Sequence, residues 1–126
     1  MLVHFNSSNE KSLAESTGSI NARFKLAGNE YDCTPFARFI SRLEKVNGEW
    51  KMLSLDAMFE RDTIAPVHPM NSPPARLDVE AYRPSYRCIA WQVASKGFQV
   101  SRDLPGTDRP ELVKRLIDES YKWIQP

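Results

Sequence analysis

The sequence predicts an α+β fold, an antiparallel sheet of long hairpin strands with helices on one face and a C-terminal helical extension. Asn47-Gly48 separates two β-prone segments and favours a type I′ hairpin turn, because both residues accept a positive φ. A proline-rich segment follows, and after it the apolar period changes from strand-like to helix-like. Strands therefore come first and helices last, which distinguishes this pattern from the βαβ alternation of a parallel sheet.

Residues 21–63 are predicted to form three consecutive antiparallel strands. Ala22, Phe24 and Leu26 alternate with polar residues, and a turn near Gly28 leads into the long hairpin centred on Asn47-Gly48. Before them, residues 7–19 indicate a turn and a weakly patterned strand. The chain begins with a short strand that carries His4.

Residues 64–83 are predicted to be a loop, since four prolines fall between positions 64 and 74 and proline lacks a backbone donor. The first helix is predicted over residues 84–96, with Pro84 in its first turn and Gly97 as its C-terminal stop.

A second helix is predicted over residues 109–124. Asp108 suits the N-cap position and Glu111 the capping-box position. Its apolar stripe consists of Leu112, Val113, Leu116, Ile117, Tyr121 and Ile124.

Composition indicates one domain over residues 1–126: a sheet over 1–63, a proline-rich loop over 64–83 and a helical tail over 84–126. Seventeen basic and sixteen acidic residues give a net charge of +1 without a basic block, so no nucleic-acid or membrane partner is expected. No apolar run approaches the roughly 18 residues of a bilayer span, and the N-terminus has no signal-peptide pattern. These features predict a cytoplasmic, non-secreted soluble protein.

Cys33 and Cys88 are far apart and have neither CxxC nor zinc-site spacing, so free thiols are favoured over a disulfide. A Cys-His-acid nucleophile remains an alternative, because His4 and His68 are present and such triads assemble in space. Phosphate-loop, HExxH and GxSxG motifs are absent from the sequence, and no cofactor or metal is expected.

His4 is the strongest single candidate for chemistry. A histidine beside Phe5 near a strand start can act as a general acid or base near neutral pH. The alternative is a surface histidine or one that only makes hydrogen bonds in the core. Strand alternation also places Phe36, Arg38, Ile40 and Arg42 on one face, where the arginines are either functional or simply exposed or ion-paired.

Two blocks of sequence carry a family resemblance. The block from Phe36 to Asp62, followed by Ile64-Ala-Pro-Val67, resembles the SnoaL-like branch of the nuclear-transport-factor-2-like superfamily. The tail, with residues 86–91 and residues 103–111, is similar to the helical extension of fungal SnoaL-like and scytalone-dehydratase-type proteins.

The resemblance implies a strongly bent antiparallel sheet wrapped into a cone, with an apolar cavity for small molecules. It implies a cofactor-independent lyase or isomerase, of the dehydratase or cyclase type, that acts on a hydrophobic polyketide-like molecule in secondary metabolism. His4 lies where dehydratase-like members often carry a cavity histidine, so it is the expected general acid or base. The expected substrate-binding residues are Asp32, Thr34, Phe36, Arg38 and Met58.

Full-length relatives in that superfamily begin with helices that close the cone, whereas this chain starts at the strand of His4. Such an open cone exposes an apolar sheet face, which predicts association as a homodimer. The alternative function is therefore a non-catalytic ligand-binding or dimerisation module. Catalysis is favoured if His4 and another ionisable group meet at a closed apolar cavity, and binding is favoured if the cavity is open or lacks polar groups.

Overall fold

The computed structural model describes residues 1–74 and 77–125, and it is an α+β protein with a five-stranded antiparallel sheet and two helices. The strands are β1 (Leu2–Phe5), β2 (Lys11–Ser19), β3 (Ala22–Leu26), β4 (Asn29–Val46) and β5 (Glu49–Pro66). The helices are α1 (Arg87–Ser95) and α2 (Pro110–Ile124). The predicted loop over residues 64–83 includes residues 75 and 76, which lie outside the described residues, as does residue 126 of the predicted domain.

Strand β4 is the centre of the sheet. On one side it pairs with β3 and then with β2, whereas β5 runs along the whole of its other side. Strand β1 pairs with β2 at the outer edge. The three predicted strands are therefore confirmed as β3, β4 and β5, and the weakly patterned segment is β2.

Turn chemistry explains the hairpins. Asn47 and Gly48 have φ values of 52° and 81°, as the type I′ prediction requires, and Ala27 and Gly28 have 51° and 82°. Pro35 lies inside β4, where a proline normally removes a ladder hydrogen bond. It falls where the neighbour changes from β2 to β3, and its carbonyl accepts from Ile20 N at 3.0 Å.

The boundary between sheet and loop at residue 64 was wrong. Strand β5 continues to Pro66, which pairs with Tyr31, and Ile64 pairs with Cys33. A proline is tolerated there because β5 is an edge strand and Pro66 is its last residue.

The prediction that both helices pack on one face of the sheet was also wrong. Along β4 the buried residues Tyr31, Cys33 and Ala37 point to one face of the sheet. Ile40, which is also buried, points to the opposite face. The two irregularities in the pairing with β5 are extra residues on β5, so β4 alternates without interruption. Helix α1 covers the first face near one end of β4, and helix α2 covers the other face near the other end.

Helix α2 supplies the main core. Leu13, Ile40, Met58 and Ile124 form a buried cluster, and partly buried residues of α2 pack against it. These neighbours are Val113, Leu116, Ile117, Tyr121 and Trp123. The sequence-predicted stripe of α2 is thereby confirmed, since most of it faces Leu13 of β2 and Met58 of β5.

Helix α1 begins at Arg87, three residues later than predicted, and its first amides are satisfied from outside the helix. Asp62 Oδ2 of β5 accepts from Cys88 N at 2.8 Å and from Ile89 N at 2.9 Å. A carboxylate at a helix N-terminus satisfies orphan donors and favours the dipole. Gly97, with a φ of 89°, ends the helix as predicted.

Asp108 is not the N-cap of α2, because Arg109 occupies that position without a side-chain cap. The Asp108 carboxylate instead accepts from Arg83 Nη2 at 2.7 Å, from Arg83 Nε at 2.9 Å and from Ser85 Oγ at 2.6 Å. Glu111 pairs with the Arg109 side chain rather than closing a capping box. A bidentate arginine bond outweighs a cap here because it is charge-assisted and half-buried.

Among the described residues, no helix combines the length and apolar character that a bilayer span requires.

Candidate functional site

Three ionisable side chains meet on the face of the sheet that α2 covers. Tyr121 Oη donates to Glu15 Oε2 at 2.7 Å, and the same carboxylate oxygen lies 3.1 Å from His4 Nε2. The distance between Tyr121 Oη and His4 Nε2 is 2.9 Å. The three groups thus form a closed triangle of hydrogen-bond contacts drawn from β1, β2 and α2.

The β1–β2 hairpin positions His4. His4 pairs with Leu13 across the hairpin, so its ring points to the same face as the core leucine. At the turn, Asn6 Oδ1 accepts from Glu10 N at 3.0 Å and from Lys11 N at 3.1 Å. The turn therefore anchors a short edge strand that would otherwise fray.

Helix α2 positions Tyr121. Ser120 and Ile124 are the buried residues of α2, and Tyr121 lies between them along the chain, next to His4. The rings of His4 and Tyr121 meet edge to face with centroids 5.4 Å apart. Lys11 lies 5.0 Å from the Trp123 ring centroid, which adds a second contact between β2 and the end of α2.

The electrostatics divide the roles of the three groups. The hydrogen bond to Glu15, together with burial, raises the pKa of Tyr121, so its hydroxyl remains protonated at neutral pH. Glu15 is the acceptor that holds both other groups, and its side chain is 20% exposed. The His4 side chain is 34% exposed, so the His4 imidazole is more accessible to a solute than the Glu15 carboxylate is.

A depression of about 280 Å³ lies beside Glu15 and opens to solvent. Leu2, Thr17 and Arg38 line it together with Glu15. Leu2 pairs with Glu15, and Thr17 pairs with Arg38, which places all four on the same face as the triangle. The depression thus carries a carboxylate and a guanidinium on neighbouring strands.

The structure brings only part of the predicted site together. Arg38 lies near the cluster, but Asp32 does not. Across the sheet His4 is level with Arg42, and Asp32 lies ten residues from Arg42 along β4, a distance along the strand of about 33 Å at a rise of ~3.3 Å per residue. Asp32 instead accepts from Arg23 Nε at 2.9 Å, a bond that lowers the pKa of Asp32. Thr34 pairs with Thr63 near that same distant end.

The two apolar candidates also lie away from the depression. Phe36 carries the guanidinium of Arg61 over its ring at 4.1 Å. Met58 is 2% exposed and belongs to the core under α2. The strand registers place both residues on the same face as His4, but neither lines the depression.

The cysteine alternative is not assembled around His4. Cys33 lies on the face that α1 covers and Cys88 lies on α1, whereas His4 lies on the opposite face. Burial raises the pKa of both thiols to about 12, so they stay protonated at neutral pH. A nucleophilic cysteine requires a lowered pKa.

Glu15 and Tyr121 are the residues that sequence reasoning missed as site residues. Glu15 lies in a weakly patterned strand, and Tyr121 lies in the apolar stripe of α2 and was assigned to packing. The sequence did contain one indication of this role for Tyr121: a tyrosine within an apolar stripe places its hydroxyl in the core, where it needs a hydrogen-bond partner. Within residues 1–74 and 77–125, no group of three or more His, Cys, Asp and Glu side chains is placed to hold a metal ion.

Comparison with known proteins finds fungal relatives. The chain is 33% identical over 115 residues to Pea pathogenicity protein 2 of Fusarium vanettenii, an alignment that covers 85% of this chain and 49% of that protein. It is 32% identical over 114 residues to a PEP2-like protein of the same fungus, which covers 84% of this chain and 49% of that protein. The chain thus spans about half the length of these curated relatives. No protein-family model matches it.

Proposed function

We propose that the chain forms a small-molecule site at which His4, Glu15 and Tyr121 exchange a proton with a hydrophobic substrate. The reaction class is that of a cofactor-independent lyase or isomerase of the SnoaL-like branch of the nuclear-transport-factor-2-like superfamily. The observation that carries the proposal is the triangle of contacts at 2.7, 2.9 and 3.1 Å. A histidine within hydrogen-bond reach of two other ionisable groups is a candidate acid–base site on geometric grounds.

The roles follow from exposure and protonation. His4 is the general acid or base, because it is accessible and an imidazole exchanges a proton near neutral pH. Glu15 orients the His4 ring through the 3.1 Å contact. Tyr121 donates its single hydroxyl proton to Glu15 and so positions the carboxylate beside His4, and Arg38 orients the substrate in the adjoining depression, which Glu15 also lines.

Proton exchange tests this proposal without knowledge of the natural substrate. A polyketide-like aryl ketone, 1-tetralone, is incubated with the protein in D₂O, and loss of its α-proton signal is followed by NMR. We expect protein-dependent exchange that falls by about 10²-fold in His4→Ala, the size of a general acid–base contribution. His68→Ala is the matched control, since His68 is exposed in the proline-rich segment far along the chain. Equal exchange in both variants contradicts the proposal.

A second function, a non-catalytic binding or dimerisation module, is favoured by the depression beside Glu15, which is open to solvent rather than closed, and by exposed apolar surface. On the face opposite α2, large apolar side chains remain exposed on β1 and β5, with Phe5 at 56%, Met52 at 60% and Leu55 at 59%. Phe5 also packs edge to face on Trp50 at 5.7 Å, which joins the two ends of this apolar patch. Contiguous exposed apolar surface marks an interaction site, and a homodimer is the expected assembly.

Light scattering at micromolar concentration tests this second function. We expect a dimer that dissociates in Leu55→Glu, because a charge at the centre of an apolar interface is left without water or a partner. Met70→Glu is the control, as Met70 is 95% exposed and lies outside the sheet. A monomer in the unmodified chain, without aggregation, contradicts dimerisation.

A further inference from the structure

We propose a second ligand site, for a small uncharged aromatic molecule, between α1 and the segment of residues 99–104. A cavity of about 300 Å³, open to solvent on one side, lies there, on the face of the sheet opposite His4 and Glu15. Its apolar lining consists mainly of Phe59, Tyr86, Ile89, Val93, Val100 and Leu104. It is separate from the acid–base site and does not depend on it.

The wall of this cavity is held in place by hydrogen bonds to the backbone of an irregular segment. Tyr86 Oη donates to Ser101 O at 2.8 Å, and Arg83 Nη1 donates to Arg102 O at 3.0 Å and to Leu104 O at 2.5 Å. The Arg83 side chain is only 12% exposed, and its bond to Arg102 O lies at the surface while its bond to Leu104 O is partly buried. The cavity is therefore preformed, which lowers the ordering cost of a ligand.

Asp108 fixes Arg83 in turn. Its two carboxylate oxygens accept from Nε and Nη2 along one edge of the guanidinium, and Oδ1 also accepts from Ser85 Oγ at 2.6 Å. Gly106 gives this carboxylate its room, because a Cβ there would lie 2.3 Å from Ser85 Oγ and 2.8 Å from Asp108 Oδ1. The segment of residues 101–108 is thus built around the half-buried Arg83, which supports the cavity wall.

The lining determines the class of ligand. No charged side chain lines the cavity within the described part of the chain, and the polar groups at it are Gln99, Ser101 and the Tyr86 hydroxyl. Ligand sites are mostly apolar cavities of ~300–1,000 Å³ with a few polar groups, and this volume lies at the lower end. A one- or two-ring aromatic molecule with a single polar group fits, whereas a charged group would lose its hydration without a partner.

Methyl NMR spectra of the whole chain, recorded during titration with indole, test this site. We expect saturable shifts centred on the methyl groups of Ile89, Val93, Val100 and Leu104. Indole-3-carboxylate is the matched probe, and its binding is expected to be weaker by about tenfold or more, because its charge must be desolvated. Val93→Phe fills the cavity and is expected to weaken indole binding by about tenfold or more. Val46→Phe, the same change on the exposed hairpin, leaves binding unchanged.

A second variant covers the case in which Val93→Phe does not fold. Ile89→Ala enlarges the cavity and is expected to shift the preference from indole toward the larger 2-naphthol. Three results overturn the site: absence of saturable shifts up to the solubility limit of indole, shifts centred on the methyl groups of Met52 and Leu55 instead, or equal binding of the charged probe. Loss of proton exchange in His4→Ala has no bearing on these outcomes, so the two sites are tested separately.

Discussion

Tyr121 of α2 donates a 2.7 Å hydrogen bond to Glu15 of β2, a residue 106 positions earlier in the chain. This bond connects the last helix to the sheet and brings a hydroxyl to the histidine of the first strand. Its position at the edge of the main core, beside Ile124, holds the donor and acceptor in one geometry. A contact of this kind can contribute to both stability and proton transfer, so the stability and the proton-exchange rate of each variant must both be measured.

Replacement of Asp108 by Asn is expected to destabilise the fold by about 2 kcal/mol at pH 7, because it leaves the half-buried Arg83 without its charge partner. Arg83 lowers the pKa of Asp108 from its usual 3.8 to about 2. The ionised form is the one that the fold favours, so its contribution is complete above pH 4 and is lost as the pH falls toward 2.

Urea unfolding at pH 7 and pH 2.5 measures both effects. The unmodified chain should lose more stability than Asp108→Asn over this interval. Asp118→Asn is the control, since Asp118 pairs with Lys114 on the exposed side of α2. Parallel pH profiles for the Asp108 variant and the unmodified chain would rule out this role.

Replacement of Gly106 by Ala is expected to destabilise the chain by roughly 2–3 kcal/mol, as overpacking a dense polar cluster typically does. The added Cβ would approach Ser85 Oγ to 2.3 Å. At Gly18 the nearest atom to such a Cβ is 3.6 Å away on Phe39, so Gly18→Ala serves as the control and should be neutral within about 0.5 kcal/mol. Similar thermal midpoints for the two variants would contradict the packing account.

Replacement of Asp62 by Ala is expected to fray the start of α1 and to cost about 1–2 kcal/mol, the size of a lost helix cap. Asp62 Oδ2 accepts from both Cys88 N and Ile89 N. Hydrogen exchange of these two amides measures the effect directly. Asp62→Asn retains an acceptor and should preserve most of their protection, and equal exchange in both variants would contradict the capping role.

Local patterns predicted most of the elements. The hairpin at Asn47-Gly48 and the stop at Gly97 depend on positive φ, a property of the residue itself, and both are confirmed. The stripe of α2 depends on a strong helical period and is also confirmed.

The errors come from long-range contacts. The start of α1 depends on Asp62, and the fate of Asp108 depends on Arg83, 25 residues earlier. Each helix packs on the face of the sheet that is buried at its end of β4. The buried face changes between Ala37 and Ile40, and alternation alone does not specify where this change occurs. For the site, strand alternation predicted the shared face of Phe36, Arg38, Ile40 and Arg42, but His4, Glu15 and Tyr121 are neighbours only in the folded chain.

The central claim is that His4 and Tyr121 act together on one substrate proton. A double-mutant cycle of His4→Ala and Tyr121→Phe in the 1-tetralone exchange assay tests it most directly, with unfolding curves to confirm that each variant is folded. Residues that act as a unit are strongly non-additive, so the double variant should exchange within about threefold of the slower single variant. Losses that multiply, or a Tyr121→Phe variant that exchanges like the unmodified chain, would contradict the claim.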